Sequence, residues 1–276
     1  IAHAPRRATS HENCVIFKGG CKLGKVIAVA GKGGTGKTTL CGLTIRYLLE
    51  KGLTPVLALD ADPNANLNEV LGVKVESTLG DIREDVIDKA PPGMSKDEYM
   101  ELKLEESLVE EEGFDLLVMG RPEGPGCYCF ANALFRRYMD KLIKSYKYVI
   151  MDNEAGLEHL SRRTTRDVDI LLIVSDPTQR GLMAARKIKT LVEELSIGVE
   201  ETFLVLNRTS ARQVEALESK IGELGFDLIG HIPPDPLIEE FDLKGIPLVK
   251  LPQSSLALRA VFGIMEKLVA EIVTAR

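Results

Sequence analysis

The sequence predicts an α/β fold, a doubly wound, mostly parallel seven-stranded sheet with helices on both faces. Three observations carry that prediction. Short β-branched apolar runs alternate with helix-like stretches along nearly the whole chain, the order expected of successive βαβ units. Most of these runs are continuously apolar, as strands covered on both faces require. A glycine-rich stretch lies directly after the first run and before a helical one, and in open sheets of this kind ligands gather beyond the carboxyl ends of the strands.

The elements follow in order. Lys25–Ala30 (KVIAVA) is the first strand, then comes the glycine-rich stretch, then a helix over Lys37–Lys51. Pro55–Asp60, Leu116–Met119, Tyr148–Asp152, Ile170–Val174, Thr202–Leu206 and Asp227–Ile232 complete the seven strands. Helical spacing shows between them, for example at Leu182, Ile188, Leu191, Val192 and Leu195. Two regions depart from this rhythm. Residues 1–24 have no clear period and read as an N-terminal extension open to disorder, leaving 25–276 as a single domain. Asp97–Glu112 is acidic, with Met100, Leu104 and Leu108 at helical spacing. It reads as a solvated helix over the core, with a docking surface as the other possibility.

Composition narrows the function. The chain has 276 residues, 35 Lys and Arg against 41 Asp and Glu, and a formal charge of −6. An acidic balance without a long basic run argues against nucleic acid as a partner. The longest apolar runs, such as Val26–Ala30 and Ile170–Val174, fall far below the roughly 18 residues of a membrane span, so no membrane is expected. Residues 1–24 lack the apolar centre of a secretory signal. Five cysteines in so long a chain make no disulfide scaffold, and a cytoplasmic setting is expected.

Gly31-Lys32-Gly33-Gly34-Thr35-Gly36-Lys37-Thr38-Thr39 satisfies G-x-x-x-x-G-K-[ST] in the strand–loop–helix context that gives the motif its meaning. Glycines let backbone N–H groups curl around phosphate oxygens, and the helix N-terminus adds a favourable dipole. Gly33 to Thr39 therefore form the candidate nucleotide-binding loop of a P-loop NTPase. Within it Lys37 reaches the β- and γ-phosphates and the Thr38 hydroxyl ligates Mg²⁺.

With Lys32 included, the pattern K-G-G-x-G-K-[ST]-T resembles the deviant Walker A loop of the family of MinD, ParA, the nitrogenase iron protein and metal-cluster assembly ATPases. The resemblance implies that Lys32 crosses a nucleotide-sandwich homodimer to the partner's phosphates, so that dimerisation follows ATP binding; otherwise it is a surface lysine that steers a polyanion. The second strand ends in Asp60-Ala61-Asp62-Pro63. Carboxylates beside a phosphate site point to Mg²⁺. Resemblance to switch I implies that Asp62 orients the attacking water, while Asp60 supports the metal shell or the loop. The fourth strand ends in Asp152-Asn153-Glu154-Ala155-Gly156, similar to the family's D-x-x-A-G element. That implies Asp152 as a Mg²⁺ ligand through water and Gly156 as a backbone contact to the γ-phosphate. Asn207 is implied as a hydrogen-bonding partner of adenine, with Pro233 in His231–Asp235 as a second wall, although a loop asparagine is also an ordinary turn residue.

Gly124-Pro125-Gly126-Cys127-Tyr128-Cys129 follows the third strand. Thiolates are soft ligands for Ni²⁺, Zn²⁺, Cu⁺ or iron–sulfur clusters. One pair cannot fill a tetrahedral site, but two pairs at a dimer axis supply four sulfurs. Packing of two small residues at a helix start is the alternative. Together with Met151–Arg163 (MDNEAGLEHLSRR), this element is similar to the CooC/AcsF group of MinD-type ATPases, which implies nickel insertion into carbon monoxide dehydrogenase or acetyl-CoA synthase as the function, with that nickel enzyme as client. The resemblance runs from Lys25 to about the C-terminus and leaves Cys14 and Cys21 unassigned. Glu158 and His159 read either as a relay beyond switch II or as an exposed helix start. A MinD-like membrane helix at Leu256–Arg276 is not expected, because it holds only Arg259, Lys267 and Arg276 as cations; a core-packing helix is. The expected activity is hydrolysis of ATP by a nickel-binding homodimer. An iron–sulfur carrier or electron-transfer ATPase is one alternative, and a ParA/MinD-like positioning switch is another.

Overall fold

A computed structural model of the chain describes residues 16–17, 20–21, 24–62, 64, 66–82, 91–120, 138–153, 167–195 and 197–274. Strands β1 (Lys25–Gly31), β2 (Val56–Asp60), β3 (Val109–Glu111), β4 (Phe114–Val118), β5 (Tyr148–Asp152), β6 (Asp167–Ser175), β7 (Gly198–Asn207) and β8 (Asp227–Ile232) build the main sheet. The helices are α1 (Lys37–Glu50), α2 (Leu67–Leu71), α3 (Lys96–Glu106), α4 (Gln179–Glu194), α5 (Ala211–Glu223), α6 (Pro236–Lys244) and α7 (Leu256–Thr274). A short antiparallel pairing of Ile16–Phe17 with Gly20–Cys21 precedes them.

The sheet has eight strands in the order β8-β7-β6-β1-β5-β2-β4-β3. Every neighbouring pair is parallel except β3 with β4. The expected α/β architecture is therefore present, with one strand more than the seven counted from the sequence. The extra strand, β3, lies inside the acidic stretch expected to be one helix from Asp97 to Glu112. Ser95 starts α3 with a reciprocal cap to Glu98, the helix ends at Glu106, and the chain then turns back at Gly113 to pair with β4. A three-residue edge strand with two exposed glutamates carries no apolar run to reveal it. Met100 and Leu104 are buried, so α3 does lie over the core.

Successive residues of each central strand feed opposite faces. Val26, Ala28 and Ala30 join one core beneath α3, α4 and α5, which send in Met100, Leu182, Ile188 and Ile221. Ile27 and Val29 join the other, beneath α1 and α7, with Leu40, Leu43, Leu258, Val261 and Met265. The C-terminal helix thus buries an apolar face in the molecule, and among the described residues no helix is long and apolar enough to cross a membrane. Strand β1 sends its chain through α1 towards β2, while its neighbour β6 sends its own through α4 towards β7. The connections part between these two strands, and a crevice opens at such a switch point.

Candidate nucleotide site at the sheet's switch point

Residues 31–37 leave β1 at that crevice and run into α1. Gly36 is the helix N-cap, with φ 91° and no side-chain cap, so the first-turn N–H groups of a 14-residue helix stay available to an anion. A left-handed backbone there suits glycine. A Cβ at Gly36 would also stand 2.2 Å from the Asn207 Nδ2. The loop closes on itself where the Thr35 hydroxyl donates to the Lys32 carbonyl at 2.8 Å. Lys32 stands exposed, whereas Lys37 is 7% exposed.

Two strand ends bring carboxylates to the same place. Asp60 and Asp152 are register partners on adjacent parallel strands, and Val29 is the partner of Asp152 on its other side. Both Asp60 oxygens accept backbone N–H groups, from Asp62 at 3.1 Å and from Leu67 at 3.0 Å. Asp60 thereby pins the turn that carries Asp62, whose own carboxylate accepts from the Asn64 N–H at 2.8 Å. Burial pushes the Asp60 carboxyl up to about 7, its backbone hydrogen bond from Leu67 opposing and the charge of Asp152 adding.

Asp152 is different. It is 1% exposed, and among the described residues neither carboxylate oxygen has a hydrogen-bond partner. Burial pushes its carboxyl up to about 6, while the neighbouring Thr38 hydroxyl and Lys37 ammonium act the other way without meeting hydrogen-bond geometry. An unpartnered buried carboxylate is costly, and a hard cation or its bound water is the partner it fits. Thr38 beside it supplies a hydroxyl of the same hard-oxygen type. The donor set thus suits Mg²⁺. Cys41, fully buried against the same carboxylates, has its thiol pushed well up, first by burial and then by Asp152 and Asp60. It remains a thiol and adds no soft ligand.

The cleft beside the loop measures about 930 Å³ and is bounded by the glycine loop, Lys37–Thr39, Asp62, Asn64, α2, Arg208 and the turn around Gly245–Leu248. A triphosphate and base fit such a volume. Asn207, expected at the adenine, spends one amide hydrogen on the Thr35 carbonyl at 2.7 Å and accepts the Arg208 N–H at 2.9 Å. One hydrogen and one lone pair remain for a base. Pro233 follows β8 half-buried. Asp235, beside it, accepts from Leu237, the Ser255 hydroxyl and Ala257 at 3.0, 2.6 and 2.9 Å, tying α6 and α7 together.

The structure therefore brings together Lys32 to Thr39, Asp60, Asp62, Asp152 and Asn207. Gly156, Cys127 and Cys129, together with Glu158 and His159, lie outside the described residues. Among the described residues no group of three or more His, Cys, Asp or Glu side chains forms a metal centre. Arg208 escaped sequence reasoning; its only signal there is a cation directly after Asn207.

The family model described as the CobQ/CobB/MinD/ParA nucleotide binding domain matches residues 26–248. An uncharacterized ATP-binding protein of Methanocaldococcus jannaschii is 46% identical over 249 residues, covering 88% of this chain and 98% of its own length. The carbon monoxide dehydrogenase accessory protein CooC of Rhodospirillum rubrum is 35% identical over 235 residues, 80% of this chain and 88% of its own. Among solved structures, the septum site-determining protein MinD of Pyrococcus horikoshii, complexed with Mg-ADP, superposes with a TM-score of 0.68. It shares 24% identity and covers 92% of this chain and 99% of its own, a likeness of fold.

Proposed function

The chain belongs to the CobQ/CobB/MinD/ParA nucleotide-binding family, and from that premise we propose that it is a Mg²⁺-dependent ATPase that works as a homodimer and carries nickel to an enzyme client. The observation that carries the hydrolytic part is the buried, unpartnered carboxylate of Asp152 beside Lys37 and Thr38. Phosphoryl transfer needs positioning and charge neutralisation more than covalent chemistry. The loop N–H groups of Gly33–Thr39 and the α1 terminus bind the phosphates, and Lys37 neutralises charge on the β- and γ-oxygens. Asp152 and Thr38 hold Mg²⁺, with Asp60 steadying the turn at its rim. Bound Mg²⁺ supplies charge stabilisation on the transferring phosphoryl group. Asp62 orients the attacking water, and Gly156 brings a backbone N–H to the γ-phosphate. Asn207 and Pro233 take the adenine. Lys32, exposed at the loop's outer edge, reaches the phosphates of a second protomer.

The cargo is read from Cys127 and Cys129. Two soft sulfurs per chain become four in a dimer, a closed tetrahedral set suited to Ni²⁺ or Zn²⁺. Similarity to a protein named as a carbon monoxide dehydrogenase accessory factor supports carbon monoxide dehydrogenase or acetyl-CoA synthase as client. For nucleotide state to drive delivery, the metal must bind the ADP and ATP forms with different affinity. The test is competition with a chromophoric chelator for Ni²⁺ and Zn²⁺ in the nucleotide-free, ADP and ATP-analogue forms, with mass measured by light scattering. Expected are one ion per dimer, a nucleotide-dependent affinity, and dimers with the ATP analogue. A monomer indifferent to both ligands removes the proposal, and a broad brown absorbance after anaerobic purification moves the cargo to an iron–sulfur cluster.

A further inference from the structure

Strand β7 ends at Asn207, and the next residue, Arg208, is the one non-glycine residue with a left-handed backbone among those described, at φ 53°. That conformation is unfavourable for a side chain with a Cβ and persists where surrounding contacts over-determine it. Three contacts do so. The Arg208 N–H donates to the Asn207 Oδ1 at 2.9 Å. The buried Thr209 donates its hydroxyl to the Asn207 carbonyl at 2.9 Å and its N–H to the Ile232 carbonyl at 3.0 Å. The result folds the Arg208 side chain back over the phosphate loop, where its Nη2 donates to the Gly34 carbonyl at 3.0 Å. The Asn207 Nδ2 meanwhile donates to the next carbonyl, that of Thr35, at 2.7 Å.

We propose that Arg208 is a positioning residue that, with Asn207, braces two consecutive loop carbonyls and so pre-sets the loop for phosphate. In a trans peptide the carbonyl and the amide point opposite ways. Fixing the Thr35 carbonyl on Asn207 therefore turns the Gly36 N–H away from β7. Fixing the Gly34 carbonyl on Arg208 turns the Thr35 N–H back to the Lys32 carbonyl, which it meets at 3.3 Å. Loop order established before the ligand arrives is order the ligand need not impose, and affinity rises accordingly. Gly36 fits the same device, because a side chain there would strike the bracing amide.

This inference rests on the nucleotide reading above. The test titrates Mg·ADP and Mg·pyrophosphate into the wild type, Arg208→Met and Arg208→Lys by calorimetry, at about 50 mM and about 500 mM salt. Loss of a charged donor should weaken both ligands in Arg208→Met by the same factor, about five- to tenfold, at either salt. Arg208→Lys should recover part of that loss, because an ammonium can still donate to the Gly34 carbonyl. Without ligand, amides of residues 33–37 should exchange faster in Arg208→Met. Unchanged affinities overturn the brace. So does a loss confined to Mg·ADP, which makes Arg208 a base or ribose contact, and so does a loss that vanishes at high salt, which makes it a steering charge. A wild type that binds neither ligand overturns the nucleotide reading itself and the inference with it. Arg208 is exposed, so its replacement should leave the fold intact; Arg208→Gly, which relieves the backbone strain but lacks the donor, should weaken binding as Arg208→Met does.

Discussion

Replacing Asp152 with Asn should stabilise the ligand-free protein while removing its response to Mg²⁺. The carboxyl is raised from 3.8 to about 6 in the fold, chiefly by burial. An acid whose folded value lies above its unfolded one binds more protons when folded, so stability falls as pH rises through that window and the full penalty stands above it. A gap of about two units at 1.36 kcal/mol each is about 3 kcal/mol at pH 8. An amide left partly unpaired gives back about 1 kcal/mol, so the variant should gain about 2 kcal/mol. In a chain of 276 residues that is a rise of about 3–4 °C in Tm. Asp60 works in the same direction, because losing the charge on Asp152 removes one of the causes that raise its own carboxyl. The assay is thermal unfolding followed by circular dichroism in a chelator-containing buffer from pH 5 to pH 8, then with Mg·ADP. The gap should be largest at pH 8 and shrink to about a third of that at pH 5, where the folded carboxyl is protonated but the unfolded one is still ionised, closing fully only as pH nears the unfolded value of 3.8. Mg·ADP should raise the wild-type Tm more than the variant's. An Asn variant that is no more stable at pH 8, or a gap that does not shrink on acidification, would refute the reasoning.

Three further outcomes are expected. Gly36→Ala should weaken Mg·ADP binding by about tenfold in calorimetry, since a left-handed φ costs a residue with a Cβ about 1–2 kcal/mol and the new methyl would stand 2.2 Å from the Asn207 amide; an unchanged affinity contradicts this. Replacing both Cys127 and Cys129 with Ser should abolish Ni²⁺ binding in equilibrium dialysis, and an unchanged stoichiometry removes those residues from the metal site. Leu258→Ala, at a fully buried position of α7, should cost about 2–5 kcal/mol in urea unfolding, and a loss below about 1 kcal/mol would mean that α7 packs only loosely on α1.

Much of this was legible in the sequence because parallel strands buried on both faces are written as unbroken apolar runs. Tyr148–Asp152 and Asp227–Ile232 were expected with the boundaries observed. The loop was legible for a different reason, since phosphate binding by backbone demands glycines at fixed spacing. What stayed hidden depends on contacts between distant residues. Val109–Glu111 forms a strand only because β4 is beside it. Nothing local tells that Arg208 adopts positive φ or that Asn207 reaches residue 35, which lies 172 positions away. Asp235 looked like part of a base-facing wall, yet its carboxylate is spent on α6 and α7. A short polar side chain next to a proline does not announce which of two helices it will cap.

The sheet's outer border on the β3 side has a last consequence. A neighbouring molecule that tried to continue the hydrogen-bond ladder there would find only three residues to grip and would lay its own backbone along exposed Glu110 and Glu111. An antiparallel copy would set like charges opposite one another. Growth by stacking copies along this border is thereby discouraged.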